Sequence, residues 1–213
     1  VENPHGKGGP TMKNLLPVLF ACLAGLAIQA SVARSAAAPQ ADALAASPVT
    51  GTMEGQVLTA GNRRVMILSQ QGQVVWEYPA GLVHDAWMLP DGHVLFADGA
   101  SVTEVTPDKK VVFQYKSADQ KGGGTYACQR LANGNTVIGE NSTGRVLEVD
   151  KAGKVVFEMK VEPTKGGAHH NMRMVRKLDS GNYLVCHSGA HLVKEYTPQG
   201  KAVLEIKTDN VAF

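Results

Sequence analysis

Two periodic features of the sequence predict an all-β fold built from repeated units. A turn-forming dipeptide ending in glycine precedes a short apolar run, and this pattern recurs at residues 91–96, 133–138 and 180–185, with a degenerate copy at 54–58. An aromatic or large apolar residue follows each glycine after 21 to 23 positions; these residues are Trp76, Phe113, Phe157 and Leu204. Successive aligned glycines of the three clear copies are 42 and 47 residues apart, a period that fits one four-stranded blade. The sequence therefore predicts a β-propeller of four-stranded antiparallel blades.

The third unit shows how four strands fit into one repeat. β-Branched and aromatic residues fill the predicted strands, while Gly, Asn, Asp and Pro fill the gaps between them. Strand A is predicted at residues 125–131, strand B at 136–140, strand C at 144–149 and strand D at 154–159. Asn133-Gly134 is predicted to form a two-residue hairpin turn, because both residue types tolerate a positive φ. No part of this region has the pattern of an amphipathic helix.

The repeats define one propeller domain at residues 50–213. The predicted blades are residues 50–80, 81–118, 119–162 and 163–213, and the first of them lacks strand A. Four such units either close into a small ring or form part of a larger one. We expect about four blades of a six- to eight-bladed ring, because the chain stops where a further strand A would begin.

The first 49 residues are predicted to direct export rather than to fold. Residues 1–11 are a polar upstream extension or tag, residues 12–38 a signal peptide and residues 39–49 an Ala/Pro/Ser linker. The signal peptide begins with Met12-Lys13, continues as an apolar run and ends in small residues, which is the usual three-part arrangement. A membrane-spanning helix is the alternative, but Arg34 and the small residues favour cleavage. We therefore expect a periplasmic or secreted protein with no membrane span after cleavage.

Charge and cysteine content restrict the partners. Residues 1–38 hold Lys7, Lys13 and Arg34 against Glu2 and so carry the whole net charge of +2. The remaining 175 residues carry 18 basic and 18 acidic side chains. A neutral domain has no electrostatic footprint for nucleic acid, and that class of partner is excluded. We expect a monomer that binds a small molecule or an envelope protein.

Cys128 and Cys186 are interpreted as two buried thiols. A disulfide between them is the alternative, and the sequence does not decide between the two.

The unit that closes each repeat resembles a known sequence motif. Residues 72–77, Gly-Gln-Val-Val-Trp-Glu, and their counterparts are similar to the repeat of PQQ-type, quinoprotein-like β-propellers. The resemblance implies that Trp76 packs between neighbouring blades. It does not imply the quinone, because the sequence shows neither an adjacent cysteine pair nor a calcium-binding set of carboxylates and amides. We expect no cofactor and no metal.

The predicted ligand site lies on the face where strands D lead into strands A and strands B end. Asp98, Glu140 and His187 each stand six residues after an aligned glycine, at the end of strand B. His84, His169 and His170 stand where strands A begin, and Tyr126 lies beside them in the sequence pattern. Imidazoles and carboxylates from separate blades can bind a ligand or serve as acid, base or nucleophile. Residues assigned to ligand binding are Asp98, Glu140, His170 and Tyr126.

An enzyme family gives the alternative function. His84-Asp85 ahead of residues 89–92, and residues 169–171 ahead of His187, resemble segments of bacterial arylsulfotransferases, which are periplasmic propeller enzymes. The resemblance implies sulfuryl transfer between phenols, with His169 and Asn171 contacting sulfuryl oxygens and His84 assisting. His187 stands where the family pattern has an arginine. The catalytic set on this hypothesis is His84, His169, Asn171 and His187, whereas the binding hypothesis involves no turnover and a third hypothesis is a scaffold in an envelope complex.

Overall fold

The computed structural model describes residues 54–118, 124–162 and 171–210. These residues form fifteen strands in four antiparallel sheets, and strands that follow each other in the chain are paired within each sheet. The first sheet has three strands and the other three have four. The all-β prediction and the prediction of blade-like units are both confirmed. One short 3-10 turn, Ser188–Ala190, is the single helical element in this part of the chain.

The strands have the following bounds. The first sheet contains β1 (Val57–Gly61), β2 (Arg64–Leu68) and β3 (Val74–Pro79). The second contains β4 (Asp85–Met88), β5 (Val94–Ala97), β6 (Ser101–Val105) and β7 (Val111–Lys116). The third contains β8 (Thr125–Arg130), β9 (Thr136–Glu140), β10 (Arg145–Val149) and β11 (Val155–Lys160). The fourth contains β12 (Met174–Lys177), β13 (Tyr183–His187), β14 (Leu192–Tyr196) and β15 (Ala202–Lys207).

Strands A to D of each four-stranded sheet follow the chain order. We call β4, β8 and β12 the inner strands, because they occupy the strand A position that lines the axis of a propeller. The inner strands begin, and the B strands end, at what we call the upper end of the sheets. The A–B turns lie at the lower end. The bounds predicted for the third unit agree with β8–β11 to within one residue. In the described part of the chain, the first sheet contains strands B, C and D.

The A–B turns differ from the prediction in one detail. Leu131 donates its N–H to the Asn135 carbonyl, and the Gly134 N–H donates back to the Leu131 carbonyl. These bonds define a three-residue turn at 132–134, whereas two residues were predicted. Gly134 has φ 86° and Gly181 has φ 87° at the equivalent turn, so a glycine at the last position removes the strain of a left-handed backbone.

The hydrophobic cores lie between adjacent sheets. Leu95 and Phe113 of the second sheet pack with Ile138 and Leu147 of the third, and equivalent clusters join the first sheet to the second and the third to the fourth. Because strand side chains alternate between faces, each sheet contributes one face to each neighbour. The second and third sheets therefore bury apolar surface on both faces, and this burial stacks the blades.

The aromatic residues that close the repeats occupy equivalent positions on the D strands. Phe113 is buried, whereas Trp76 and Phe157 are half-buried. The Trp76 indole N–H donates to the Pro107 carbonyl of the next sheet at 2.9 Å. Leu204, on the last sheet, is 45% exposed.

The remaining sequence predictions about the chain concern its first 49 residues, its cysteines and a membrane span. The upstream extension, the signal peptide and the linker lie outside the described residues. Cys128 and Cys186 are both buried free thiols, which agrees with the interpretation given to them. In the described part of the chain, no helix has the length and apolar character needed to cross a membrane.

Candidate functional site

Three equivalent positions on successive sheets converge at the upper end. His84, Tyr126 and Arg173 each stand eight residues before the glycine of their own A–B turn. They therefore occupy the same place at the start of the inner strands of the second, third and fourth sheets. Their equivalent positions on adjacent sheets bring these three different side chains together.

The three side chains form a stack centred on Tyr126. The His84 and Tyr126 rings have centroids 3.8 Å apart and planes 21° apart, and the Arg173 guanidinium carbon is 5.0 Å from the Tyr126 centroid. Tyr126 is 2% exposed, while His84 and Arg173 are half-buried. A guanidinium over a tyrosine face is favourable because the ring carries negative charge density on its faces. We call these residues, together with Asn141, the inner-strand cluster.

A β-bulge sets the position of Tyr126. Thr125 pairs with Glu140 and Ala127 pairs with Gly139, so Tyr126 is the extra residue of β8 between two consecutive pairs. Bulges re-aim a side chain and increase the local twist of a strand. The bulge accounts for the position of Tyr126 between residues of the neighbouring sheets.

Asn141 adds a buried amide to the cluster. Its Oδ1 accepts the Met172 N–H at 2.7 Å, which fixes the orientation of the amide. Its Nδ2 is buried and has no partner in hydrogen-bonding geometry among the described residues. Burial raises the pKa of the Tyr126 hydroxyl, although Arg173 and the Asn141 amide act in the opposite direction. The hydroxyl is therefore neutral near pH 7 and faces a cation and an amide donor.

An ion pair lies directly below the cluster, further along the inner strands. Arg176 donates to the two Asp85 carboxylate oxygens at 2.8 and 3.2 Å, and its guanidinium lies 4.8 Å from the Trp87 ring centroid. The same carboxylate accepts the Cys128 N–H at 2.9 Å, and the Trp87 indole donates to the Cys128 carbonyl at 2.7 Å. These hydrogen bonds and this ion pair join the second, third and fourth sheets directly below the inner-strand cluster.

Asp98 lies at the upper end, as predicted, and its carboxylate is used to order the loops there. Oδ1 accepts the Ser101 N–H at 2.9 Å and the Ser101 hydroxyl at 3.2 Å. Oδ2 accepts the Gly81 N–H at 3.1 Å. Asp98 therefore fixes the B–C turn of its sheet and the segment that leads into β4.

Glu140 is also at the upper end and is fully buried. Oε1 accepts the Tyr115 hydroxyl at 2.8 Å and the Ala118 N–H at 3.1 Å, and Oε2 accepts the Thr143 hydroxyl and the Arg145 Nε–H, both at 2.9 Å. Burial alone would raise the pKa of Glu140, but these hydrogen bonds outweigh it and lower the pKa. The carboxylate is charged, and each of its oxygens accepts at least two hydrogen bonds. It therefore links the upper end of the third sheet to Tyr115 and Ala118.

His187 is buried at the equivalent position of the fourth sheet. Its Nδ1 lies 2.9 Å from the Asn171 carbonyl and its Nε2 lies 2.8 Å from the Tyr196 hydroxyl. Since a carbonyl can only accept, Nδ1 carries the proton and Nε2 accepts from Tyr196. Burial lowers the pKa of His187, so the imidazole is neutral near pH 7. Both ring nitrogens are engaged in joining β13 to its neighbours.

The other predicted site residues are placed unevenly. His84 and Tyr126 are together in the inner-strand cluster. Asn171 is buried and supplies the carbonyl that His187 bonds. His169 and His170 lie outside the described residues, so their predicted roles stay predictions.

Sequence reasoning missed Arg173 and Asn141. Arg173 could have been found by counting eight residues back from Gly181, as His84 and Tyr126 are related to their own glycines. Asn141 has no comparable indicator, because its Nδ2 is unpaired only in the folded loop that follows β9.

Comparisons with known proteins support the fold and define no family. No protein-family model matches the sequence, and no characterised protein matches it with significance. A protein of unknown function from Bacteroides caccae is similar in structure, with a TM-score of 0.63 and 23% identity over 73% of this chain and 58% of that one. Virginiamycin B lyase from Staphylococcus aureus has a TM-score of 0.55 and 18% identity, covering 76% of this chain and 55% of that one.

A third similar structure is the WD40 β-propeller domain of Doa1. Its TM-score is 0.56 and its identity 16%, with 75% of this chain and 52% of that chain covered. At these identities the likeness shows a shared β-propeller fold and nothing finer. The chain spans just over half the length of these three structures.

Proposed function

We propose that the protein is an exported β-propeller that binds a small anionic molecule at the inner-strand cluster. The observation that carries the proposal is the convergence of two donor groups, the Arg173 guanidinium and the Asn141 amide, on the buried Tyr126 side chain. Buried donors are costly unless acceptors satisfy them, and the oxygens of a bound anion are such acceptors. Export follows from the residue pattern of segment 12–38, and the PQQ-like repeat supports the blade arrangement.

The charges of the cluster favour an anion over a cation. Arg173 carries a permanent positive charge, Tyr126 is neutral, and the Asp85 carboxylate below them is paired with Arg176. Asp98 and Glu140 hold their hydrogen bonds within the loops. A carboxylate, phosphate or sulfate oxygen would therefore meet donors at this place, and the aromatic stack offers a surface for an attached ring.

Proteins of similar fold are known to bind partners of two kinds. A catalytically inactive virginiamycin B lyase has been crystallised with quinupristin, and BBS1 has been crystallised in complex with ARL6. Small-molecule and protein binding are thus both compatible with a propeller. The inner-strand cluster favours a small molecule, since Tyr126 and the Asn141 amide beside it are buried.

The binding test uses p-nitrophenyl sulfate, p-nitrophenyl phosphate and 4-nitrobenzoate as anionic probes in calorimetric titrations. We expect saturable binding of at least one of them. Asn141→Asp keeps the oxygen that accepts from Met172 while it replaces the donor with a negative charge, and should weaken binding at least tenfold. Arg173→Met should do the same, whereas Lys201→Met, an equal loss of charge on the lower end, should not. Absence of binding by all three probes would refute the proposal. So would an affinity in Asn141→Asp and Arg173→Met equal to that of the unmodified protein.

Sulfuryl transfer between phenols is a second candidate, favoured by one observation. Arg173 and His84 both contact the ring of Tyr126, so the cluster that contains His84 also contains a cation, as the family pattern does with its arginine at the position of His187. The test adds phenol as acceptor to p-nitrophenyl sulfate and follows release of p-nitrophenolate. Turnover that falls at least 100-fold in both His84→Ala and His169→Ala would support transfer. Binding without turnover would leave the protein a binding module.

A further inference from the structure

A cleft of about 390 Å³ lies between the second and third sheets at the lower end, opposite the inner-strand cluster. Its volume is within the range of small-molecule sites, and it combines apolar with charged walls. The residues that line it include Leu89, His93, Glu104, Phe113, Arg130 and Leu131.

The same layer of side chains recurs between each pair of adjacent sheets. It contains the large residue of strand D and the residue that stands two positions after the A–B glycine of the next sheet. The pairs, in chain order, are Trp76 with Val94, Phe113 with Thr136, and Phe157 with Tyr183. A large residue meets a small one in the first layer, and two rings meet in the third. The second pair alone combines a phenylalanine with a threonine; Phe113 lines the cleft, and Thr136 is fully buried.

The third layer shows how a phenol ring is held. Tyr183 stacks on Phe157 with centroids 5.2 Å apart and planes 8° apart, and its hydroxyl donates to Glu148. The Lys177 ammonium lies 5.4 Å from the Tyr183 centroid and also pairs with Glu148. An aromatic face, a carboxylate and a cation therefore surround the phenol of this tyrosine.

The second layer presents the same three groups without a phenol of its own. Phe113 supplies the aromatic face, Glu104 the carboxylate and Arg130 the cation, with the guanidinium carbon 5.1 Å from the Phe113 centroid. Thr136 is fully buried, and its hydroxyl, like the Arg130 Nε, has no hydrogen-bond partner in the described part of the chain. These unpaired buried groups mark the layer as one whose polar atoms the described residues do not fully satisfy.

A metal ion fits this cleft less well than a neutral ligand. Donor atoms of Asp91, His93 and Glu104 lie within 4.8 Å of one another, which is a spacing that could hold a cation. However, the Glu104 carboxylate is paired with Arg130 and accepts a hydrogen bond from His93 Nδ1 at 2.8 Å. A guanidinium next to the carboxylate repels a metal cation, while it does not oppose a neutral phenol.

We propose that this cleft is a second small-molecule site and that its ligands are phenols. The ring lies against Phe113 and Arg130, and the hydroxyl donates to Glu104, as Tyr183 does to Glu148 in the next layer. The proposal is independent of the inner-strand cluster, which lies at the other end of the sheets.

The test uses p-cresol, which reproduces the side chain of tyrosine, with the full chain. We expect saturable binding in calorimetric titrations, and at least fivefold weaker binding of toluene, which lacks the hydroxyl. Thr136→Tyr places a phenol in the layer from the chain itself and should remove p-cresol binding. Tyr126→Phe, at the other end, should leave p-cresol binding unchanged.

A second measurement does not depend on the stability of any variant. In the unmodified protein, NOEs are expected between p-cresol ring protons and the methyl groups of Leu131 and Leu89, which line the cleft. NOEs confined to other parts of the protein, equal affinity for toluene, or full p-cresol binding by a folded Thr136→Tyr variant would each overturn the proposal. Loss of p-cresol binding with intact binding of the anionic probes would show that the two sites are separate.

Discussion

Replacement of Glu140 by glutamine should destabilise the protein more than any other loss of a single charge in the third sheet. The Glu140 carboxylate is fully buried and accepts bonds from Tyr115, Ala118, Thr143 and Arg145. Glutamine keeps one acceptor oxygen, and its NH₂ group must then face donors on the other side. Two of the donor groups lose their acceptor, and the guanidinium loses its buried counter-ion.

The magnitude follows from these contacts. Removal of one partner from a buried ion pair costs about 3–5 kcal/mol. Arg145 is 20% exposed and keeps a second partner, Glu158, at 3.2 Å, so the lower end of that range, about 3 kcal/mol, applies. For a chain of this size, that loss corresponds to a fall in Tm of about 6–12 °C.

Urea unfolding followed by fluorescence, together with a thermal scan, measures this loss directly. Glu158→Gln is the matched control, because it removes the exposed partner of the same arginine and should change stability by about 0.5 kcal/mol or less. A loss under about 1 kcal/mol in Glu140→Gln, or equal losses in the two variants, would show that the buried carboxylate is not what holds this end of the sheet.

Three further outcomes are expected. Because hydrogen bonds lower the pKa of Glu140 below its ordinary 4.5, its contribution is present above that pH and lost as the pH falls below it; urea midpoints should therefore drop there, with a shallower drop in Glu140→Gln, and equal slopes would contradict this. Gly139→Ala should cost about 1–3 kcal/mol in urea unfolding, since a Cβ there would lie 2.9 Å from Val175 Cγ2, whereas Gly61→Ala, with open space around it, should be neutral. Both described cysteines are buried thiols, and burial raises the pKa of each, so reaction with Ellman's reagent should require unfolding, and rapid labelling of the native protein would contradict the fold around them.

The repeat pattern was sufficient to predict the sheets because it reports backbone geometry. Turn glycines and alternating strands recur with the blade period, and they fixed β8–β11 to within one residue. The turn at 132–134 differed by one residue, since both turn types use a glycine with positive φ and the sequence alone does not separate them.

The candidate site was harder to predict, because it depends on contacts between loops. Counting from the turn glycines placed Asp98, Glu140 and His187 at the upper end, but each of them also has a partner in a loop that has no periodic pattern. The carboxylates bond backbone N–H groups of Gly81 and Ala118, and His187 bonds the carbonyl of Asn171. The bulge at Tyr126 likewise depends on the pairing of β8 with β9, and no residue type in β8 predicts it.

Comparison of equivalent positions separates residues that build the propeller from residues that distinguish its sheets. The glutamate of strand C is shared by three sheets, as Glu104, Glu148 and Glu195, and in two of them it pairs with a base from the next sheet. That repetition is what an element holding adjacent blades together requires. The position two residues after the turn glycine instead changes from valine to threonine to tyrosine, and the position eight residues before it changes from histidine to tyrosine to arginine. Equivalent positions that carry different residue types give each sheet its own contacts with its neighbours. The inner-strand cluster includes one of these positions, and the cleft is lined by Phe113, the partner residue of the other. The two proposed sites lie at opposite ends of the sheets, so their ligands can be tested separately.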